Sequence, residues 1–330
     1  MRILFISFFL MFTTPISAQE KMLDNVIENH ILPRYQQLAE SAEVLNEQAH
    51  ETCDPSDQNL KDAYHLAFDA WVLVSHLRFG PSEQENRAFA LAFWPDSRGK
   101  TPKALFGFLN GADPAALENL EVFQTVSVAA RGFYALEYMI FDQALSEAGE
   151  KHCALMRLIT SDIEALSSDI LTDWQNGYAD VLRLVSKNDA YRSRSESIQQ
   201  LYTSLVTGLK FTSDQRLARP LGTFDRARPK RAEARRSERS LRHVKLSLAA
   251  TQELALLLSK DDPRIDQSFA LALKDADNID DPAFAKIEDP QMRFRVEALK
   301  SKVDATLLLL DQTLAPKLGV KAGFTSLDGD

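Results

Sequence analysis

A tyrosine and a glutamate one helical turn apart, Tyr134 and Glu137, are the residues of this chain whose chemistry is most informative. They lie in the segment 129–141, where apolar residues recur at helical spacing and place Glu137 in one stripe with Phe133 and Ile140. A carboxylate on a buried helix face loses its hydration and needs a cation, a hydrogen-bond donor or a proton. The pattern therefore predicts a site that combines a phenol and a carboxylate beside the core, or a structural ion pair that joins two helices.

Two arrangements of this pair follow from its chemistry. Phenolate and carboxylate oxygens are hard ligands, which suit ferric iron better than zinc. The arrangement that we favour is a Tyr134–Glu137 pair hydrogen-bonded to an arginine such as Arg131, Arg78 or one of the basic segment described next. The two-histidine motif of helical zinc peptidases, His-Glu-x-x-His, does not occur in the sequence.

A basic segment runs from Arg216 to Arg242. It contains ten Arg or Lys residues and three Asp or Glu residues, a local net charge of +7 in a chain whose formal net charge is -9. Such a local positive field indicates an anion site or a partner for internal carboxylates, and a solvated charged surface is the alternative. The overall acidity excludes a general nucleic-acid binder.

Four stretches resemble, in order, the imelysin-like proteins, whose signature is Gly-x-His-x-x-Glu. The segment Gly132–Glu137 keeps the glycine and the glutamate and carries Tyr134 at the histidine position. The other stretches are residues 78–81 with 93–96, residues 236–241 and the C-terminal residues 323–330. This resemblance implies an all-α fold of two helical bundles packed side by side, with a groove between them.

The resemblance also implies a function and a site in that groove. The implied function is a binding component of iron acquisition, which takes iron, a ferric chelate, haem or an uptake partner of the cell envelope. The family is also classed among metallopeptidases, and the missing histidine disfavours that alternative here. The candidate ligand-binding residues are Tyr134, Glu137, Arg78, Trp94, Asp96, Arg236, Ser237, Arg239 and Ser240, of which Tyr134 and Glu137 are also the candidate metal ligands. Ordinary core packing is the alternative for Trp94.

The first 18 residues are typical of a cleavable signal peptide, with a positive start, an apolar run and a small residue, Ala18, at the end. We therefore expect a soluble, exported protein, periplasmic in a Gram-negative cell. No later apolar stretch reaches the roughly 20 residues that a transmembrane helix needs. The cysteines, Cys53 and Cys153, predict one disulfide in such an oxidising compartment.

The elements that must position these residues are helices throughout, because helix-forming residues dominate and alternating β-type runs are rare. We predict a first bundle over residues 19–188 and a second over residues 189–330. Within them we expect a helix from Lys21 to Ala49 that is kinked or interrupted at Pro33, and another from Glu233 to Ser259. Three polar residues share a helix face opposite the core stripe and are predicted to be solvated: His65, Asp69 and His76.

Overall fold

The fold is all-α, as predicted. A computed structural model describes residues 18–111, 117–146, 149–185 and 190–321, and these ranges contain helices and no β-strand. The helices are α1 (Ala18–Val26), α2 (Leu32–Glu51), α3 (Gln58–Val74), α4 (Arg87–Leu91), α5 (Lys100–Asn110), α6 (Leu120–Phe123), α7 (Gly132–Phe141), α8 (Glu150–Asp173), α9 (Ala179–Arg183), α10 (Arg194–Phe211), α11 (Ala218–Leu221), α12 (Ser240–Ser259), α13 (Pro263–Asp277), α14 (Pro290–Leu309) and α15 (Ala315–Leu318).

Three sequence predictions fall outside these residues. They are residues 1–17 of the predicted signal peptide, the bundle boundary near Asn188 and the C-terminal stretch 323–330. The division into two bundles therefore stays a prediction.

Two sets of packed helices meet at α3 and α12. Helix α2 packs against α3 and α8, and α7 also packs against α8. Helix α12 packs against α10 and α13, and α13 packs against α14. Because α12 also contacts α3, the segment that leads into α12 is brought close to the helices that surround α7.

The first predicted helix is present, and Pro33 lies in the first turn of α2. A wider π-helical turn, Ile27–Ile31, joins α1 to α2, so the chain stays helical across this point. Proline has no backbone N–H to donate. It is tolerated there because the wider turn changes the local hydrogen-bond pattern of the helix.

The prediction that His65, Asp69 and His76 are solvated was wrong for Asp69 on α3 and for His76, which lies just beyond the end of α3. Asp69 is 8% exposed and His76 is 3% exposed. Asp69 accepts hydrogen bonds from Arg239 and Arg242, and the His76 ring lies 2.9 Å from a ring nitrogen of His30. Partners from distant parts of the chain satisfy these groups, and helical spacing alone cannot reveal them.

Cys53 and Cys153 form the predicted disulfide, with their Cα atoms 5.2 Å apart. The bond joins the turn before α3 to the first turn of α8. None of the helices described above is both long and apolar enough to span a lipid bilayer.

Candidate functional site

Glu137 lies on α7 with 2% of its surface exposed. Its Oε1 accepts hydrogen bonds from the backbone N–H groups of Arg236 and Ser237, both at 3.0 Å, and from Ser237 Oγ at 2.8 Å. Burial raises the pKa of Glu137, and the donors of Ser237 oppose that shift. The buried carboxylate was expected to need a cation, a hydrogen-bond donor or a proton. The donors are two backbone N–H groups and one hydroxyl of the turn that contains Arg236 and Ser237.

Tyr134 contacts a different carboxylate from the one predicted. Its hydroxyl donates a hydrogen bond to Glu233 Oε1, while Glu233 Oε2 lies 2.6 Å from Arg216 Nε and 3.3 Å from His243 Nδ1. Burial opposes ionisation of Glu233, but Arg216 and His243 outweigh it and lower the pKa to about 2. Burial and the Glu233 carboxylate raise the pKa of Tyr134 well above its usual range, so Tyr134 is a neutral phenol.

The predicted bond from the Tyr134–Glu137 pair to an arginine side chain is not formed. Arg131 makes a two-pronged contact with the buried Asp162, with both distances 2.7 Å. Arg78 bonds the exposed Glu83 at 2.6 Å and does not line the cavity that adjoins Tyr134.

Residues 229–239 form a compact turn, which we call the basic turn, where the sequence predicted the beginning of a helix. A short 3₁₀ turn, Pro229–Arg231, is followed by Ala234 and Glu238 at positive φ, and α12 begins only at Ser240. Ser240 Oγ donates to the Glu233 carbonyl oxygen and fixes the turn. The prediction that a helix begins at Glu233 was wrong, because Glu233 and the backbone after it bind α7 and Arg216 instead.

Internal carboxylates neutralise the arginines that the sequence singled out. Arg236 Nε lies 2.6 Å from Asp142, and its guanidinium lies 3.6 Å from the centre of the Tyr138 ring. Arg239 pairs with Asp69. For these two residues the second interpretation of the basic segment, a partner for internal carboxylates, therefore describes the structure.

A cavity of about 170 Å³, which we call the Trp94 pocket, adjoins Tyr134 and Glu137. Its lining includes Trp94, Asp96, Thr101, Tyr134, Glu137, Tyr138, Arg219, Lys230, Arg231 and Arg236. The Trp94 ring stacks on the Tyr134 ring with centroids 6.1 Å apart, and the Arg219 guanidinium lies 5.5 Å from the Trp94 ring.

Three cations of this pocket have no acidic partner among the residues that the structure describes. In the described ranges no carboxylate forms an ion pair with Arg219, Lys230 or Arg231, and the buried Nε of Arg219 has no hydrogen-bond partner. Burial and the neighbouring Arg231 lower the pKa of Arg219. Sequence reasoning included these residues in the basic segment but did not single them out, because neither charge nor spacing distinguishes a paired arginine from an unpaired one.

Asp96 shapes the rim of the pocket. It accepts backbone hydrogen bonds from Thr101 at 2.8 Å and from Arg98 at 3.3 Å, next to the beginning of α5. Partial burial raises the pKa of Asp96, but backbone donors such as that of Thr101 outweigh it and lower the pKa. Asp96 is thus already satisfied by the backbone at the beginning of α5.

The donor set does not fit a bare metal ion. Across the residues that the structure describes, no group of three or more His, Cys, Asp or Glu side chains is placed to hold one. The hydroxyl of Tyr134 is bonded to Glu233, and the Oε1 of Glu137 is occupied by three donors. The unpaired cations of the pocket repel a bare cation and attract an anion.

Fold and pocket together define an all-α protein with a cation-lined cavity between a buried helix and a basic turn. The chain matches the imelysin family, peptidase family M75, over residues 31–310, and it belongs to that family. A search of curated proteins found no match.

Two solved structures have the same fold. One is an imelysin-like protein from Psychrobacter arcticum 273-4, 19% identical, with a TM-score of 0.76 over 93% of this chain and 97% of that one. The other is a candidate iron-regulated protein A precursor from Parabacteroides distasonis ATCC 8503, 13% identical, with a TM-score of 0.69 over 90% of this chain and 95% of that one.

Proposed function

We propose that this protein is an exported, periplasmic binding component of iron acquisition, and that the Trp94 pocket binds a small ferric chelate through its carboxylate groups. The observation that carries the proposal is the guanidinium of Arg219, which lies over Trp94 and has, among the described residues, neither an acidic partner nor an acceptor for its Nε. A partly buried, unpaired arginine is costly unless a ligand supplies the missing acceptor.

Family membership supports the iron-related part of the proposal. The Parabacteroides protein with this fold is described as a candidate iron-regulated protein A precursor. The N-terminal pattern that resembles a signal peptide supports export, and uptake proteins of the cell envelope are the partners that such a role implies.

The charges around the pocket favour a chelate over a free ion. Lys230 and Arg231 lie beside Arg219, so carboxylates of the chelate meet three positive side chains. Arginine provides paired N–H donors whose geometry matches a carboxylate. The volume of about 170 Å³ is below the roughly 300 Å³ at which pockets for drug-sized ligands begin, which favours a small carboxylate chelate over haem.

Tyr134 and Glu137 have structural roles in this proposal. Tyr134, which the resemblance places at the position of the family's histidine, forms a wall of the pocket, and Glu137 fastens the basic turn against α7. The Tyr134 hydroxyl and Glu137 Oε1 are already engaged, by Glu233 and by the donors of Arg236 and Ser237, and the histidine of the family motif is missing from the segment Gly132–Glu137. Peptidase activity of the family's type is therefore the less favoured function for this chain.

The test is a titration of the purified protein with ferric citrate, followed by calorimetry and by quenching of tryptophan fluorescence. We expect saturable binding that becomes about tenfold weaker or more in Arg219→Gln, since one charge-assisted contact with a carboxylate contributes about 1.5–3 kcal/mol. Arg192→Gln, which removes an exposed arginine outside the pocket, is the matched control and should bind like the unmodified protein. Equal affinity in Arg219→Gln, or no binding of ferric citrate, would contradict the proposal.

A further inference from the structure

A second and larger cavity lies beside the Trp94 pocket. Its volume is about 900 Å³, and we call it the Phe224–Phe294 groove. One wall is the loop 224–231, and the other is formed by residues 287–297, which include the first turns of α14. The volume is within the roughly 300–1,000 Å³ of cavities that bind organic ligands.

The two phenyl rings that face this groove are the most exposed large apolar side chains of the described residues. Phe224 is 89% exposed and Phe294 is 70% exposed, and they come from opposite walls. Single exposed apolar side chains are common on protein surfaces, but exposed apolar side chains that line one concavity with a polar rim are typical of a binding groove. They provide flat faces on which a planar group can stack.

The loop that carries Phe224 is held firmly, although the ring itself is exposed. Thr223 and Arg226 exchange two backbone hydrogen bonds of 3.1 Å each, which leaves Phe224 and Asp225 at the tip of a tight turn. The Arg228 N–H donates to the Pro220 carbonyl at 2.8 Å. Across the groove Arg293 bonds both Glu297 and the Leu221 carbonyl, so α14 is tied to the chain just before the loop.

The groove also has an excess of positive charge. Arg226, Arg228, Lys230 and Arg231 have no carboxylate in ion-pair contact within the described ranges, whereas Arg293 is neutralised by Glu297. The remaining acidic side chains of the lining are Asp225 and Glu288, so four unpaired cations face two carboxylates. Partial desolvation and the fields of Arg226 and Arg231 lower the pKa of Arg228, as expected where cations are close together.

We propose that the Phe224–Phe294 groove is a second binding site, which takes an organic anion with a planar apolar body. The body stacks against Phe224 and Phe294, and the acidic groups pair with Arg226 and Arg228. Charge complementarity calls for an anion, and the concave shape, the volume and the exposed ring on each wall favour this occupant over an acidic segment of a partner protein, an anionic membrane or a second copy of the chain. The groove shares only Lys230 and Arg231 with the lining of the Trp94 pocket, and the proposed contacts with Phe224, Phe294, Arg226 and Arg228 lie outside that pocket. The inference does not depend on the proposed role in iron acquisition.

The experiment is a fluorescence-anisotropy titration of 1-pyrenebutyrate with the full-length protein. We expect saturable binding of one probe per chain, weakened by added salt because the contact is between charges. Phe224→Ala and Phe294→Ala should each weaken binding by about tenfold or more, as truncation of a central aromatic contact does. Arg226→Gln combined with Arg228→Gln should have an effect of similar size. The cation 1-pyrenemethylamine should bind at least about tenfold more weakly than the anion.

Matched controls separate this site from general stickiness and from the Trp94 pocket. Phe106→Ala removes another exposed phenylalanine, 42% exposed, and Arg192→Gln combined with Lys302→Gln removes two exposed cations elsewhere. These variants and Arg219→Gln should bind 1-pyrenebutyrate like the unmodified protein, and circular dichroism should show every variant folded. The proposal is overturned if 1-pyrenebutyrate does not bind saturably, if the amine binds as tightly, or if the groove variants keep full affinity. It is equally overturned if the protein binds only anionic vesicles or an acidic peptide at this surface.

Discussion

At the scale of residues, two buried glutamates on either side of Tyr134 have opposite environments. Glu137 accepts hydrogen bonds from neutral donors, and burial raises its pKa. Glu233 lies against Arg216 and His243, and its pKa falls to about 2. Glu233 is therefore the charged member of the network and Glu137 the member that fastens a backbone turn.

Glu233→Gln should destabilise the protein strongly, because it leaves the guanidinium of Arg216 buried without its counter-ion. We expect a loss of about 3–5 kcal/mol in the free energy of unfolding, measured by urea denaturation at neutral pH. Tyr134→Phe is the control, since it removes one hydrogen bond to Glu233 and keeps the Arg216 pair, and it should cost about 1–3 kcal/mol. A Glu233→Gln variant as stable as the unmodified protein would show that the ion pair is not formed.

The same contact predicts a pH dependence with a definite sign. The pKa of Glu233 falls from an ordinary value of 4.5 to about 2 on folding. A carboxylate with a lowered folded-state pKa contributes stability that is fully present above pH 4.5 and is lost as the pH falls toward 2. The difference in unfolding free energy between the unmodified protein and Glu233→Gln should therefore shrink over this range. A difference that stays constant from pH 6 to the acid limit would contradict the assignment.

The sequence alone predicted the environment of Glu137 but not that of Tyr134. The apolar stripe of α7 predicted the burial of Glu137 and its need for a donor, and the structure confirms both. The partner of Tyr134 was not predictable, because Glu233 is 99 residues away in the chain and satisfies Tyr134 only through the tertiary fold. Local periodicity reports which face is buried but not what covers it.

At the scale of elements, α7 begins at a position that only glycine accommodates. Gly132 has φ +74°, and a Cβ built there would lie 2.2 Å from the Leu91 carbonyl oxygen and 2.3 Å from that of Ala90. The contact sets the distance between the start of α7 and the end of α4, which leads to Trp94.

Gly132→Ala should therefore destabilise the protein and disturb the Trp94 pocket together. The positive φ costs a residue with a side chain about 1–2 kcal/mol, and overpacking adds about 1–3 kcal/mol. Urea denaturation measures the loss of unfolding free energy. The ferric citrate titration should show that the folded variant binds more weakly than the unmodified protein.

Gly107→Ala is the matched control for this prediction. Gly107 lies within α5, where an added Cβ meets no atom within 4 Å, so alanine should stabilise the protein by about 0.5–1 kcal/mol. If the two alanine variants have the same stability, the contact between Gly132 and the Leu91 backbone does not determine how α7 is placed.

The basic turn, residues 229–239, shows why secondary structure near the pocket was predicted less accurately than the long helices. Its composition favours a helix that continues into α12, yet Ala234 and Glu238 adopt positive φ, which non-glycine residues adopt only under tertiary constraint. The contacts of Glu233 with Arg216, and of the following backbone N–H groups with Glu137, supply that constraint. Long, strongly periodic helices such as α2 and α12 depend less on such contacts and were correctly predicted over most of their lengths.

At the scale of the whole molecule, the disulfide and the candidate site lie in different parts of the structure. Cys53 and Cys153 tie α3 to α8 near one end of these helices. The pocket is built from α7, the chain around Trp94 and the basic turn. The contribution of the disulfide to the stability of the whole protein can therefore be measured separately from any contribution that it makes to ligand binding.

The variant Cys53→Ser/Cys153→Ser should lose stability without losing the site. The bond closes a loop with a sequence separation of 100 residues, and the chain-entropy model gives about 4–5 kcal/mol for a loop of that size. Urea denaturation without reductant measures the loss relative to the unmodified protein, and the unmodified protein treated with dithiothreitol is the control, which should match the variant. In dilute buffer, where the variant is still folded, its affinity for ferric citrate should stay within about twofold of the unmodified protein, because distant independent sites rarely couple strongly. A large loss of affinity in a variant that circular dichroism shows to be folded would mean that the disulfide positions the pocket and does more than stabilise the chain that carries it.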